Sequence, residues 1–255
     1  MTLDLAILAT SLASGSLVGF ALGLVGGGGS ILAVPLLVFL VGVGSPHVAI
    51  GTAAVAVAAN ALVGLVQHAR AGHVRWPCAA LFSTLGVAGA WFGAKLGQSL
   101  DGRLLLGAFA VLMVAIAVLM LARRNAAGAT AMPRLNLSNA PRLAGAGLSV
   151  GTLSGFFGIG GGFLIVPGLV FSAGFPMTYA VGTSLVAVTA FGVTTAASYA
   201  VSGLVDWGVA ALFVVGGTVG SFAGLWAVKR LAVKRGALET VFAVLILTVA
   251  SYTLW

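Results

Sequence analysis

The sequence predicts an all-α polytopic membrane protein, built from two homologous, inverted repeats with glycine-rich broken or re-entrant helices, about 8–10 membrane segments in all. Three observations lead there. Of the 255 residues, 60% are hydrophobic and only 6% are charged, too little charge to cover the surface of a soluble domain. Apolar runs long enough to cross a bilayer recur from end to end. One unusual segment also occurs twice: Gly23 to Pro35 (GLVGGGGSILAVP) returns as Gly155 to Pro167 (GFFGIGGGFLIVP).

Each half reads as five apolar pieces. In the first half they are Leu5–Val25, Ser30–Val43, Val48–Gln67, Trp76–Leu96 and Leu104–Leu121. In the second they are Leu143–Phe157, Gly162–Gly174, Thr178–Val201, Trp207–Val228 and Ala237–Leu254. The first piece is expected to be mature structure rather than a secretion signal. It lacks a basic leader, since Asp4 is the only charge before Arg70, and it holds half of the repeated motif. The second piece of each half spans only about 20 Å as a helix, against a hydrocarbon core of about 30 Å. Each also contains a proline, Pro35 or Pro167. These pieces are expected to be tilted, broken or re-entrant.

The duplication runs past the glycines. Gly51-Thr52 matches Gly182-Thr183, and from there the halves align without gaps. Gly72 and Trp76 match Gly203 and Trp207, and Gly86, Gly89 and Gly93 match Gly217, Gly220 and Gly224. Chance does not produce such a register. The chain divides into a first membrane repeat (1–125), a polar, proline-containing cytoplasmic connector (126–141) and a second membrane repeat (142–255).

The net charge of +8 does not indicate nucleic acid. The basic residues cluster between apolar runs, as Arg70/Arg75, Arg123/Arg124, Arg134/Arg142 and Lys229/Arg230/Lys234/Arg235, which is a positive-inside pattern. The loop with Arg70 and Arg75 is basic, while its mate carries Asp206 and no Lys or Arg. The loop from Lys229 to Arg235 is basic, while its mate (Lys95, Asp101, Arg103) is nearly balanced. The bias swaps between equivalent loops, so the halves are expected to insert in opposite directions.

Matched breaks in the two halves of a membrane chain are the best sequence pointer to a transport site, because lipid tolerates broken backbone only where protein buries it or a watery cavity lines it. A helix starting after Gly29 or Gly162 would aim free N–H groups and its positive dipole end at the break, which attracts anions. The candidate substrate-binding residues are therefore Gly26, Gly27, Gly28, Gly29 and Ser30 in the first half, and Gly158, Gly160, Gly161 and Gly162 in the second. Consecutive glycines weaken a helix more than close packing requires. Packing is the expected role of Gly19, Gly23, Gly86, Gly89 and Gly93. Neither tract is followed by Lys-Ser or Lys-Thr, so neither is a nucleotide loop.

Thr52, Thr183 and Ser184 open long apolar helices, where a hydroxyl can cap the helix or bind an oxyanion. Asn60 lies inside an apolar helix, its repeat mate being Phe191, and can serve substrate or bond a neighbouring helix. His47, His68 and His73 sit near loop ends, where interfacial placement is expected; His47 is also a proton-relay candidate. Without partnered carboxylates the three make no metal site. Cys78 is the only cysteine, so neither an internal disulfide nor a cysteine cluster is possible. Asp4, Asp101, Asp206 and Glu239 all lie near segment ends, which leaves no mid-membrane carboxylate for a proton relay or cation site. No paired carboxylates or Ser/His/Asp set suggests an enzyme, and no cofactor is called for. Sodium held by backbone carbonyls, or a proton, remains available as a coupling ion.

The doubled G-x-x-G-x-G-G-G-type motif with a following V-P-x-L stretch, at Gly23 to Leu37 and Gly155 to Leu169, resembles the sulfite exporter TauE/SafE family, also called toluene-sulfonate-uptake-type permeases. The first copy departs mildly, with Gly27 and Ser30 where the second has Ile159 and Gly162. The resemblance covers nearly the whole chain. It implies multi-pass transport, in a bacterial inner membrane, of small sulfur-containing anions such as sulfite, sulfonates or sulfoacetate. The rival expectations are a carrier of another solute or a cation, and a non-transporting membrane scaffold.

Overall fold

A computed structural model of the chain describes residues 5–25, 30–123, 139–157, 162–175 and 177–231. All regular structure among them is helical: α1 (Leu5–Val25), α2 (Ala33–Pro35) with a π-helical turn (Leu36–Leu40), α3 (Pro46–Arg70), α4 (Trp76–Gln98), α5 (Gly102–Arg123), α6 (Ala140–Phe157), α7 (Gly162–Ala173), α8 (Met177–Val201) and α9 (Trp207–Leu231). Nine of the ten expected apolar pieces coincide with these helices. The tenth, Ala237–Leu254, and almost all of the connector lie outside the described residues.

Five described helices are long and apolar enough to cross a membrane: Leu5–Gly23, Pro46–Arg70, Trp76–Gln98, Tyr179–Val201 and Trp207–Gly224. Ser30–Leu40 and Leu104–Ala115 are apolar but shorter. The first short piece is irregular as well as short. Residues 30–32 form a 3₁₀ turn, Pro35 ends α2, and the π turn closes with Val41 N–H donating to the Leu36 carbonyl at 2.9 Å. Proline removes one ladder donor, and a widened turn is one way a helix absorbs that loss. In the second half Pro167 sits within α7.

Local turn chemistry ends α3 and α8 in the same way. Gly72 (φ 72°) and Gly203 (φ 70°) adopt the left-handed conformation. The next residues reach back, His73 N–H to the His68 carbonyl at 3.0 Å and Leu204 N–H to the Tyr199 carbonyl at 2.9 Å. This is a Schellman closure, which needs glycine because only glycine accepts that φ without penalty.

Packing is reciprocal between the halves. The antiparallel pair α3–α8 forms the centre, with Gly51 against Leu204 and Tyr199, Ala58 against Gly192, and Gly64 against Leu185. It is flanked by two parallel pairs that cross between the halves. In α1–α9, Gly15 meets the Phe213 backbone, Gly19 meets Gly217, and Gly224 meets Phe20. In α4–α6, the equivalent positions meet: Gly147 against Phe82, Gly151 against Gly86, and Gly93 against Thr152. At Gly15, Gly19, Gly93, Gly147, Gly151 and Gly224 an added Cβ would strike backbone of the partner helix. The absence of a side chain is what lets the helices approach, in an environment where close packing rather than the hydrophobic effect drives association.

The outer surface suits lipid. Leu62, Phe92, Val111, Val193, Val219, Phe222 and four tryptophans (Trp76, Trp91, Trp207, Trp226) are exposed. In water such an apolar surface would drive association.

Candidate functional site

The described part of α1 runs to Val25 and that of α6 to Phe157; the description resumes with Ser30 and Gly162, both buried. Gly26, Gly27, Gly28, Gly29, Gly158, Gly160 and Gly161 lie outside the described residues. The flanking helices approach opposite ends of the bundle, because α1 follows α9, α6 follows α4, and α4 and α9 leave opposite ends of the α3–α8 pair.

Thr52 and Thr183 play equivalent parts. The Thr183 Oγ1 accepts the Arg75 N–H at 3.1 Å, and the Thr52 Oγ1 accepts the Asp206 N–H at 3.0 Å. Arg75 and Asp206 immediately precede α4 and α9. Each buried threonine thus ties its own helix to the helix-entry loop of the other half. Contrary to expectation neither threonine opens its helix, since α3 begins at Pro46 and α8 at Met177, so neither hydroxyl caps its own helix. The two threonines lie at opposite ends of the α3–α8 pair, roughly 20 Å apart by helix rise, so one small anion cannot touch both. Ser184 donates within its own helix to the Val181 carbonyl at 2.7 Å.

Asn60 is buried beside α9. Its Oδ1 accepts from Thr218 Oγ1 at 3.5 Å, its Nδ2 has no hydrogen-bond partner, and the amide fills the space left by Gly217. The amide oxygen is therefore spent on a neighbouring helix while its two N–H donors are not. The Gly217 position that would otherwise pack helix on helix is what admits the side chain.

The histidines divide. His47 meets the Leu100 carbonyl through Nε2 at 3.1 Å, as an interfacial residue can. His68 departs from expectation: it is buried, not interfacial, because the turn at Gly72 folds the chain back over it. Sequence reasoning passed over a polar bridge at the other end of α8. Gln98 donates from Nε2 to Ser198 Oγ at 3.0 Å, and Ser202 Oγ donates to Gln98 Oε1 at 2.7 Å. It also passed over buried hydroxyls without hydrogen-bond partners, Ser14, Ser83, Ser154, Thr195 and Tyr199. Single hydroxyls on apolar helices carry no spacing signal that would have found them. Among the described residues no group of three His, Cys, Asp or Glu side chains could hold a metal.

Comparison with known proteins sets this geometry in a family. The profile described as "Sulfite exporter TauE/SafE" matches residues 11–253. A "Probable membrane transporter protein" of Xylella fastidiosa (strain 9a5c) is 46% identical over 97% of this chain and 95% of its own length. The "Probable membrane transporter protein YdhB" of Bacillus subtilis (strain 168) is 29% identical over 82% of this chain and 85% of its own length. The "Probable membrane transporter protein MJ0441" of Methanocaldococcus jannaschii is 28% identical over 66% of this chain and 65% of its own length. No solved structure matches. With a bundle of apolar helices, a match over nearly its whole length and relatives described as membrane transporters, the chain belongs to the sulfite exporter TauE/SafE family and is a multi-pass membrane transporter.

Proposed function

We propose that this transporter exports small sulfur-containing anions, such as sulfite, sulfonates or sulfoacetate, across a bacterial inner membrane. Two inverted repeats alternate access around the glycine-rich junctions. The cargo rests on the family description. The mechanism rests on one observation, the reciprocity of the halves: Thr52 holds the entry to α9 as Thr183 holds the entry to α4. Equivalent bonds at opposite ends of a central antiparallel pair give two related arrangements in which either half can take the other's role, the usual basis of alternating access in repeat-built carriers.

The orientation follows from charge. Arg75 and Lys234 are expected on the cytoplasmic side and Asp206 on the periplasmic side. Single cysteines at these three positions, in a Cys78-free background, report sidedness through a membrane-impermeant thiol reagent. Equal labelling of positions 75 and 206 would remove the inverted-repeat reading.

Uptake of radiolabelled anions into vesicles containing the purified protein tests the cargo. A helix N-terminus, worth roughly half an elementary charge, balances one negative charge better than two. Methanesulfonate and bisulfite are therefore expected to compete more strongly than dianions of similar size at fixed pH. Preference for dianions would show that a cation serves the site, and no flux of any sulfur anion would refute the cargo.

A further inference from the structure

One end of the α3–α8 pair holds four side chains that none of the foregoing uses. The His68 and His73 rings lie 5.7 Å apart, and the Tyr179 ring meets His73 edge-on at 6.1 Å. The Arg75 guanidinium sits over the Tyr179 ring at 4.8 Å from its centre. His68 is only 9% exposed, and neither of its ring nitrogens has a hydrogen-bond partner. His73, Arg75 and Tyr179 are half-buried and lead from it to the surface.

Structural need does not explain the set. The equivalent positions at the other end are Tyr199, Leu204, Asp206 and Val48, and there Gly51 packs on Tyr199 and Leu204 as Gly182 packs on His73. A positive-inside bias accounts for Arg75 in its loop. It does not account for a buried imidazole with idle nitrogens, which costs free energy unless something outside the protein satisfies it.

We infer that His68, His73, Arg75 and Tyr179 form an oxyanion-binding station at the basic end of the α3–α8 pair, a stop on the path of the anion that the proposed transport function moves. The His68 N–H donates to an oxyanion oxygen from the buried side. Arg75, over the tyrosine face, supplies charge and further donors, as guanidinium does for recognition of oxyanions. His73 closes the side between them. Because the mate positions lack this set, the two ends of the pathway differ, and anion capture is favoured at one end.

Equilibrium dialysis of the purified full-length protein in detergent, against radiolabelled methanesulfonate, sulfite and phosphate in turn, tests this apart from transport. His68→Phe and Arg75→Gln are each expected to weaken binding about tenfold, the usual scale for losing a charge-assisted donor. His68→Gln keeps a donor at similar size and is expected to stay close to wild type. Arg70→Gln, equally basic but exposed on the same end, should change affinity little. The station is overturned if the wild type binds none of the three anions. It is also overturned if His68→Phe and Arg75→Gln, with unchanged thermal midpoints, bind normally, or if Arg70→Gln weakens binding as much as they do. Binding that behaves as expected in a protein that moves no sulfur anion into vesicles would uphold the station and refute the cargo.

Discussion

Gly151→Leu is expected to leave little correctly packed protein, whereas Gly145→Leu on the same helix is expected to fold. At Gly151 a Cβ would collide with the backbone of Gly86, and at its equivalent Gly19 with the backbone of Gly217. A colliding side chain can rotate away, but a carbonyl inside a helix cannot, because its hydrogen bond holds it. The helices must therefore separate along their length, which forfeits dispersion contacts on both sides of the seam. Overpacking of this kind costs about 3 kcal/mol or more, a large share of a typical folding free energy. Gly89→Leu, against Leu148 and Thr152, belongs to the same class. At Gly145 and Gly107 nothing lies within 4 Å of the added Cβ, and removing glycine from an exposed helix position gains up to about 1 kcal/mol. Yield of monodisperse protein on size exclusion, with the thermal midpoint of what is recovered, separates the two outcomes. Wild-type yield from Gly151→Leu would mean that α4 and α6 are not in backbone contact.

Gly28→Leu and Gly161→Leu are expected to do the opposite: to fold, and to reduce transport to the level of empty vesicles. Both positions lie in glycine tracts outside the described residues, one between α1 and the buried Ser30, the other between α6 and the buried Gly162. If the N–H groups of the resuming helix hold the anion, a leucine side chain takes the anion's place. Anion flux and thermal midpoint, measured on one preparation, decide the matter. Variants that fold and transport normally would move the site away from the junctions.

The extents of the helices were legible because they rest on local chemistry. Hydropathy marks the apolar runs, and Trp76 and Trp207 mark where α4 and α9 begin; neither needs a partner to be recognised. The irregular course of Ser30–Leu40 was legible for the same reason, since Pro35 withdraws its N–H wherever the segment packs. Glycines that recur every three or four residues read correctly as packing surfaces, because that spacing puts them on one helix face.

The partners were not legible. Thr52 and Thr183 read equally well as caps or ligands, since a hydroxyl near a helix start suits both. Only the crossing of the halves brings the Asp206 and Arg75 N–H groups to them. The turn that buries His68, Asn60 in the gap at Gly217, and Arg75 over Tyr179 were equally out of reach. By itself the sequence determined that this chain is a membrane-embedded helical protein of a recognisable family, because composition, hydropathy and motif belong to the chain alone. The tertiary structure decided which helix lies against which glycine and which polar group is left without a partner, because those depend on distances between residues far apart in sequence.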